Sequence, residues 1–379
     1  MKINIFGSTG NIGSKTLKII SNHFPDLKVN LLCCNNNVKK LIRQIKIFKP
    51  KFVYVKNENK FSFLKKNINR NTTILNFHEL ISYLQTSKSD YSILAISGYK
   101  SLNYFEAILK NTSSLGLVSK EAIVSVGHLF KTYDKKIFNK IYPLDSEHFS
   151  IFYNLKNKVN IKKLILTASG GPFLGKKYSS LSKTSFSKAS NHPKWNMGYK
   201  NSIDSATLVN KCLELIEAHY LFNIPYNKLN IIIHPESKIH SIFEYENHMY
   251  NMIAFHNDMT IPIYHFLNQR YNFFLDNNKF KFKRNIPLHF TDVNDKEFPI
   301  YKYFNNLDKS IPSNIIKFNI ANEFAVNLFK DKLIKYTDIF KIIAKITSLN
   351  LNYKLNNIND ILDYHNILEN KINEKYNFY

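Results

Sequence analysis

Cysteine is scarce. The 379 residues contain three, Cys33, Cys34 and Cys212, and two of these are adjacent. That pattern offers no disulfide framework and no Cys-based zinc site, and it fits a reducing cytoplasm. Long apolar runs are also missing. None approaches the roughly 20 residues a bilayer span requires, so no membrane partner is expected. Carboxylates are few, 28 Asp+Glu against 53 Lys+Arg, which leaves a formal charge of +25. A balance so basic raises nucleic-acid binding. The basic residues are mostly Lys and are scattered, Asn and Ile abound throughout, and no recognition motif accompanies them. We read the charge as compositional bias and expect no nucleic-acid partner. The charge still favours the approach of an anionic, phosphorylated substrate. The chain opens on a strand-like run, Lys2 to Phe6. No charged leader with an apolar core is visible there, so no signal peptide is expected.

What is present is a good deal of apolar material: 44% hydrophobic residues, with 30 Phe and 23 Tyr. Wholesale disorder is excluded, and the length suggests about two or three domains. Strand-like runs at Ile3–Phe6, Val29–Cys34, Phe52–Val55, Ile93–Ile96 and Leu115–Val118 alternate with helical patterns at Ser14–Phe24 and Val38–Phe48. Alternation of this kind predicts an α/β fold with a Rossmann-like parallel sheet over residues 1–144. Runs at Leu164–Leu166 and Ile231–Ile233 predict a second sheet in a central α/β catalytic domain, 145–267. Periodicity weakens over 268–295, which reads as a linker. Helical patterns at Ile315–Lys330, Ile339–Leu349 and Ile358–Ile372 predict a C-terminal helical bundle over 296–379.

Gly7-Ser8-Thr9-Gly10-Asn11-Ile12-Gly13 follows the first strand and opens the first helix. Glycines at the first, fourth and seventh positions permit a tight turn and close approach of a pyrophosphate, which the helix N-terminus would hold. A plain strand-to-helix turn is the alternative, and the position at the first strand favours the nucleotide. The second strand ends in Cys33-Cys34-Asn35-Asn36-Asn37, with no acidic residue to hold a free ribose 2′-hydroxyl and with Lys39 and Lys40 close by. NADP is favoured over NAD.

Leu144-Asp145-Ser146-Glu147-His148 places two carboxylates two residues apart. In an extended segment both would share a face, where they repel unless a cation joins them. A solvated acidic turn explains the motif equally well. Asp204 to Glu214 reads as one helix starting near an Asp or Ser cap. On it Asn210, Lys211 and Glu214 share a face. Lys211 and Glu214 could be a surface ion pair, or Glu214 could be a third oxygen ligand for Mg²⁺ or Mn²⁺. Ser169-Gly170-Gly171-Pro172 after a strand makes a phosphate cradle or an ordinary turn. His192-Pro193-Lys194-Trp195-Asn196-Met197-Gly198 holds the single Trp and reads as a flap, 190–199, that closes over a ligand.

In this order the motifs resemble the 1-deoxy-D-xylulose 5-phosphate reductoisomerase family, from Met1 past Asn319-Ile320-Ala321-Asn322-Glu323. The resemblance implies NADPH, a divalent metal, a sugar phosphate substrate and a homodimer. It implies Asp145, Glu147 and Glu214 as metal ligands, with Lys120 beside metal and substrate. Substrate would be held by Ser146, Glu147, Ser169, His192, Trp195, Ser205, Asn210, Lys211 and Glu214, largely through its phosphate. NADPH contacts would come from Gly7, Ser8, Thr9, Gly10, Asn11, Ile12, Asn35, Asn36, Asn37, Ser119, Glu121, Gly198 and Met259. Met197 would lie on the flap with Trp195. His234-Pro235-Glu236-Ser237 and His240-Ser241 resemble a structural segment of the family. The chain departs from the family pattern at Ser119, usually Asn; at Asn35-Asn36-Asn37, usually Gly-Lys-Asn; and at Tyr199, usually Arg.

The implied reaction is skeletal rearrangement of 1-deoxy-D-xylulose 5-phosphate, then hydride transfer to give 2-C-methyl-D-erythritol 4-phosphate. Other reductases fit less well. Semialdehyde dehydrogenases need a cysteine nucleophile beyond the nucleotide strands. Short-chain dehydrogenases need Tyr-x-x-x-Lys, and none of the 23 tyrosines has Lys four residues later.

Overall fold

A computed structural model describes the chain except residues 132–137, 156–159, 196, 272, 274–284, 286 and 376–379. Much of the expected linker and Asn196 of the expected flap lie outside the described residues. By its internal contacts the chain divides into two compact units. One comprises residues 1–119, 131–149 and 258–278, the other residues 120–130, 150–257 and 279–379.

The first unit is built on seven parallel strands: β1 Lys2–Phe6, β2 Lys28–Cys34, β3 Phe52–Val55, β4 Thr73–Leu75, β5 Ser89–Leu94, β6 Thr112–Leu117 and β7 Ile141–Pro143. Their order is β4-β3-β2-β1-β5-β6-β7. Ile3, Ile5 and Phe6 are fully buried, as a central strand covered on both faces requires. The chain leaves β1 toward one edge and returns toward the other from β5, so the switch point lies between β1 and β5, where open α/β sheets bind ligands. The expected strand at Ile93–Ile96 is corrected to β5, which begins in the polar run Ser89-Asp90 and ends at Leu94. Helix Thr260–Leu267 returns to this unit late in the sequence. Its Tyr264 meets Phe24 at 5.3 Å between ring centroids, and its Phe266 meets Tyr91 at 5.4 Å.

The second unit holds a mixed five-stranded sheet, β8 Ile161–Ala168, β9 Leu229–Ile233, β10 Ile239–Tyr245, β11 Tyr250–Ala254 and β12 Thr291–Asp292, ordered β11-β10-β8-β9-β12. Helix Pro312–Lys330 is its hub. Ile315, Ile316, Phe318, Ile320 and Ala321 are all buried, a pattern apolar beyond one face, as expected of a helix enclosed by neighbours. Helices Asp338–Thr347 and Ile358–Lys375 complete the expected C-terminal helical region.

Candidate active site

In the first unit the glycine loop sits at the switch point. The Gly7 and Ser8 N–H groups both donate to the Cys33 carbonyl, at 3.0 and 2.9 Å. This folds the loop back toward the end of β2. Gly7 has φ +85°, and a Cβ there would lie 2.4 Å from the Ala95 carbonyl oxygen. Only glycine fits that approach. Ser8 is fully buried: its Oγ donates to Gln44 Oε1 at 2.9 Å, and Gln44 Nε2 donates to the Ser8 carbonyl at 2.8 Å. Helix Asn11–His23 then starts with Gly10 as its cap, which makes no side-chain cap hydrogen bond, and a helix N-terminus of this kind favours an anion. Lys40 Nζ donates to the Thr9 carbonyl at 2.9 Å. Asn37 caps helix Val38–Phe48 by accepting from the Lys40 N–H, while Asn36 Oδ1 accepts from Asn57 Nδ2 at 2.7 Å. Lys15, on the first helix, donates to Asp258 Oδ1 at 2.7 Å. Asp258 also accepts from the Thr260 N–H and hydroxyl, each at 2.8 Å. Met259 is thereby tied to the helix that opens on the glycine loop. Burial works against the Asp258 carboxylate, yet Lys15 and Thr260 hold it below its ordinary range. Ser119 Oγ lies 3.1 Å from Ser101 Oγ, and both side chains are buried.

The Asp145 segment is not extended, which corrects the expectation above. Helix Ser146–Asn154 begins directly after Asp145. Asp145 Oδ1 accepts the Glu147 N–H at 3.2 Å, and its carbonyl accepts the Phe149 N–H at 2.8 Å. The two-residue spacing therefore combines a capping carboxylate with one in the first helical turn, where the macrodipole favours negative charge. The Ser146 hydroxyl donates to Glu147 Oε2, and His148 Nδ1 stands 3.6 Å from Asp145 Oδ1.

In the second unit the expected single helix over Asp204–Glu214 is two, Tyr199–Thr207 and Val209–Phe222. Leu208, buried and with φ +67°, breaks them. A left-handed leucine costs about 1–2 kcal/mol, which the surrounding packing supports. Asp204 and Ser205 consequently lie within the first helix, not at a cap. The face shared by Asn210, Lys211 and Glu214 survives at the start of the second. Glu214 is fully buried. Its Oε1 accepts from Lys120 Nζ at 2.7 Å and from Asn210 Nδ2, and its Oε2 accepts from Lys211 Nζ at 2.8 Å. One carboxylate thus gathers two ammonium groups and an amide.

His192 organises a second cluster. Its Nδ1 accepts the N–H groups of Lys194 and Trp195, at 3.1 and 2.9 Å. That assigns the ring proton to Nε2, which lies 3.0 Å from Ser169 Oγ and 3.1 Å from Ser205 Oγ. Burial, assisted by the Lys211 charge, pushes its pKa down to about 4. The ring is neutral and directs its N–H at two hydroxyls. Trp195 stands edge-on to His240, with ring centroids 6.3 Å apart. Gly198 precedes helix Tyr199–Thr207 as its cap.

Several contacts are not announced by the motifs. Lys200 Nζ lies 3.4 Å from Glu121 and 2.8 Å from Asp204. Asn322 donates to Asp204 at 2.8 Å. The i, i+4 spacing of Lys200 and Asp204 was the available signal; the partners Glu121 and Asn322 carried none.

A dinucleotide loop at the switch point of one unit, and a buried carboxylate ringed by cations in the other, define a coenzyme-dependent α/β enzyme. Comparison with known proteins sharpens that class. The family model for 1-deoxy-D-xylulose 5-phosphate reductoisomerase matches residues 3–127, and those for its C-terminal domains match 141–222 and 256–370. A 1-deoxy-D-xylulose 5-phosphate reductoisomerase of Pelagibacter ubique is 39% identical over 352 residues, 91% of this chain and 90% of the relative. One of Sulfurihydrogenibium is 38% identical, covering 95% and 94%. The Zymomonas mobilis reductoisomerase solved with NADPH superposes with a TM-score of 0.84 at 28% identity, covering 98% of this chain and 97% of that one. A reductoisomerase solved with fosmidomycin and magnesium gives 0.88 at 28% identity, covering 99% and 98%. The chain belongs to the 1-deoxy-D-xylulose 5-phosphate reductoisomerase family.

Proposed function

We infer that this chain converts 1-deoxy-D-xylulose 5-phosphate to 2-C-methyl-D-erythritol 4-phosphate with NADPH and a divalent metal ion, a step of non-mevalonate isoprenoid synthesis. Full-length relatives of that name support the reaction. Neighbours solved with NADPH, fosmidomycin and magnesium support the cofactors. We assign coenzyme binding to residues 1–144, metal and substrate chemistry to 145–267 with the flap at 190–199, a linker to 268–295 and a helical domain to 296–379.

The carrying observation is Glu214, buried without exposure yet attended by Lys120, Lys211 and Asn210. A surface ion pair needs no such enclosure. By the family resemblance Asp145, Glu147 and Glu214 would hold the ion, an all-carboxylate donor set that suits Mg²⁺ or Mn²⁺. Once bound, the ion supplies Lewis acidity and NADPH supplies the hydride. The chain's own groups do the rest. Neutral His192 offers its Nε2 proton together with the Ser169 and Ser205 hydroxyls, a set of donors for phosphate oxygens. Lys211 adds a cation beside them, and Asn210 an amide. Ser146 would meet a substrate hydroxyl, and Lys120 holds the Glu214 carboxylate in one orientation. Trp195, backed by His240, would cover the substrate and exclude water. Residence in the cytoplasm as a homodimer belongs to the same reading, and three free, buried thiols fit a reducing compartment. The test is oxidation of NADPH on addition of 1-deoxy-D-xylulose 5-phosphate, followed by nicotinamide absorbance, with the product identified by mass and NMR.

A further inference from the structure

Lys200 stands in the first turn of helix Tyr199–Thr207 and keeps 16% of its side chain exposed. It bonds Asp204 Oδ2 at 2.8 Å and approaches Glu121 Oε1 at 3.4 Å. The second oxygen of Asp204 accepts from Asn322 Nδ2 at 2.8 Å. Asp204 and Asn322 are buried, at 1% and 0% exposure. Burial alone would discharge Lys200, but Asp204, Glu121 and Glu323 hold its pKa above the ordinary lysine value. Burial likewise opposes the Glu121 carboxylate, and Lys200 brings it below its usual range.

A lysine paired with two carboxylates, one of them also held by an amide, is costly to bury, and a packed apolar cluster is often as stable. What distinguishes this network is where its members sit. Glu121 follows Lys120, whose ammonium is on Glu214. Asp204 precedes Ser205, whose hydroxyl is on His192. One ammonium thereby fastens the start of helix Lys120–Val126 to the helix that carries Ser205, and Asn322 anchors both to helix Pro312–Lys330. We propose that Lys200, with Asn322 behind it, is a positioning residue for the reaction: it fixes Lys120 and Ser205 relative to each other and touches no reacting atom. The proposal rests on the reading that Lys120 and Ser205 face the substrate.

The test uses the full chain with Mg²⁺, in the variants Lys200→Arg, Asn322→Ala and Ser205→Ala. Lys200→Arg keeps the charge but changes the reach. Asn322→Ala keeps the ion pair but frees one Asp204 oxygen. Should either fold poorly, the other carries the test. Steady-state kinetics, NADPH binding by fluorescence and thermal melting are measured. The expected result is a kcat/KM for the sugar phosphate about tenfold lower in both network variants, while NADPH binding stays within about twofold of the parent. A lowered melting temperature with unchanged kcat and KM would make the network merely structural and overturn the proposal. Ser205→Ala separates the two readings. If it leaves KM unchanged, the substrate-facing reading fails. If it raises KM while the network variants leave kcat/KM unchanged, the positioning role alone fails.

Discussion

Lys120 Nζ lies 2.7 Å from Glu214 Oε1, and both side chains are buried, at 10% and 0% exposure. The pair spans 94 residues of sequence. It binds the start of helix Lys120–Val126 to the first turns of helix Val209–Phe222. With Lys211 on the other oxygen, the carboxylate has no freedom to turn away.

Lys120→Ala removes one of two cations from a buried carboxylate. Lys211 remains, so the loss of stability falls toward or below the lower end of the roughly 3–5 kcal/mol typical of a broken buried pair. Turnover falls further, by about 10²–10³. Thermal melting and turnover measured on one preparation check both. Retained turnover contradicts the role given to Lys120.

Gly7→Ala places a Cβ 2.4 Å from the Ala95 carbonyl at φ +85°. Gly175 has φ +81°, but open space around its Cβ position. Gly175→Ala is expected to cost about 1 kcal/mol of strain and to leave NADPH binding intact. Gly7→Ala is expected to abolish measurable NADPH binding by fluorescence titration. Equal effects of the two substitutions would show that the glycine loop plays no part in coenzyme binding.

Lys40 is fixed against the glycine loop through the Thr9 carbonyl. The end of β2 offers Asn35, Asn36 and Asn37 but no cation. Lys40→Ala is therefore expected to weaken NADPH about tenfold, the scale of one charge-assisted hydrogen bond. NADH, which lacks the 2′-phosphate, is expected to weaken less. Dissociation constants for both coenzymes decide it, and an equal loss would assign Lys40 to the shared pyrophosphate.

Acid destabilises this fold through neutral histidines. Burial brings His192 down to about 4 and His365 down to about 3, from an ordinary 6.5. The unfolded chain therefore binds these protons more tightly than the folded one. Their contribution is complete above about pH 6.5 and is lost as pH falls toward the folded values. Melting temperature is expected to drop over that window, and His365→Gln is expected to flatten the drop. An unchanged slope in His365→Gln would remove His365 from the account.

Much of the first unit was legible because its strands are covered on both faces. Phe52–Val55 reads as an unbroken apolar run and Ile3–Phe6 as one interrupted only by Asn4, and the glycines at 7, 10 and 13 announced the turn. The face shared by Asn210, Lys211 and Glu214 followed from helical spacing alone. The break at Leu208 was hidden, because no glycine or proline marks a left-handed leucine that only tertiary packing supports. The Asp145 segment misled for a related reason: two carboxylates two apart suit a strand face and a helix start equally well. The Asp204–Asn322 contact crosses 118 residues, and nothing local encodes it.

The most direct test is a metal titration of the full chain with 1-deoxy-D-xylulose 5-phosphate and NADPH, beside Glu214→Gln. NADPH oxidation is expected to match substrate consumed, to cease with EDTA, to return with Mg²⁺ or Mn²⁺, and to be lost in Glu214→Gln protein that still binds NADPH. Oxidation that survives EDTA or Glu214→Gln, or none by folded protein that binds NADPH, would contradict the account.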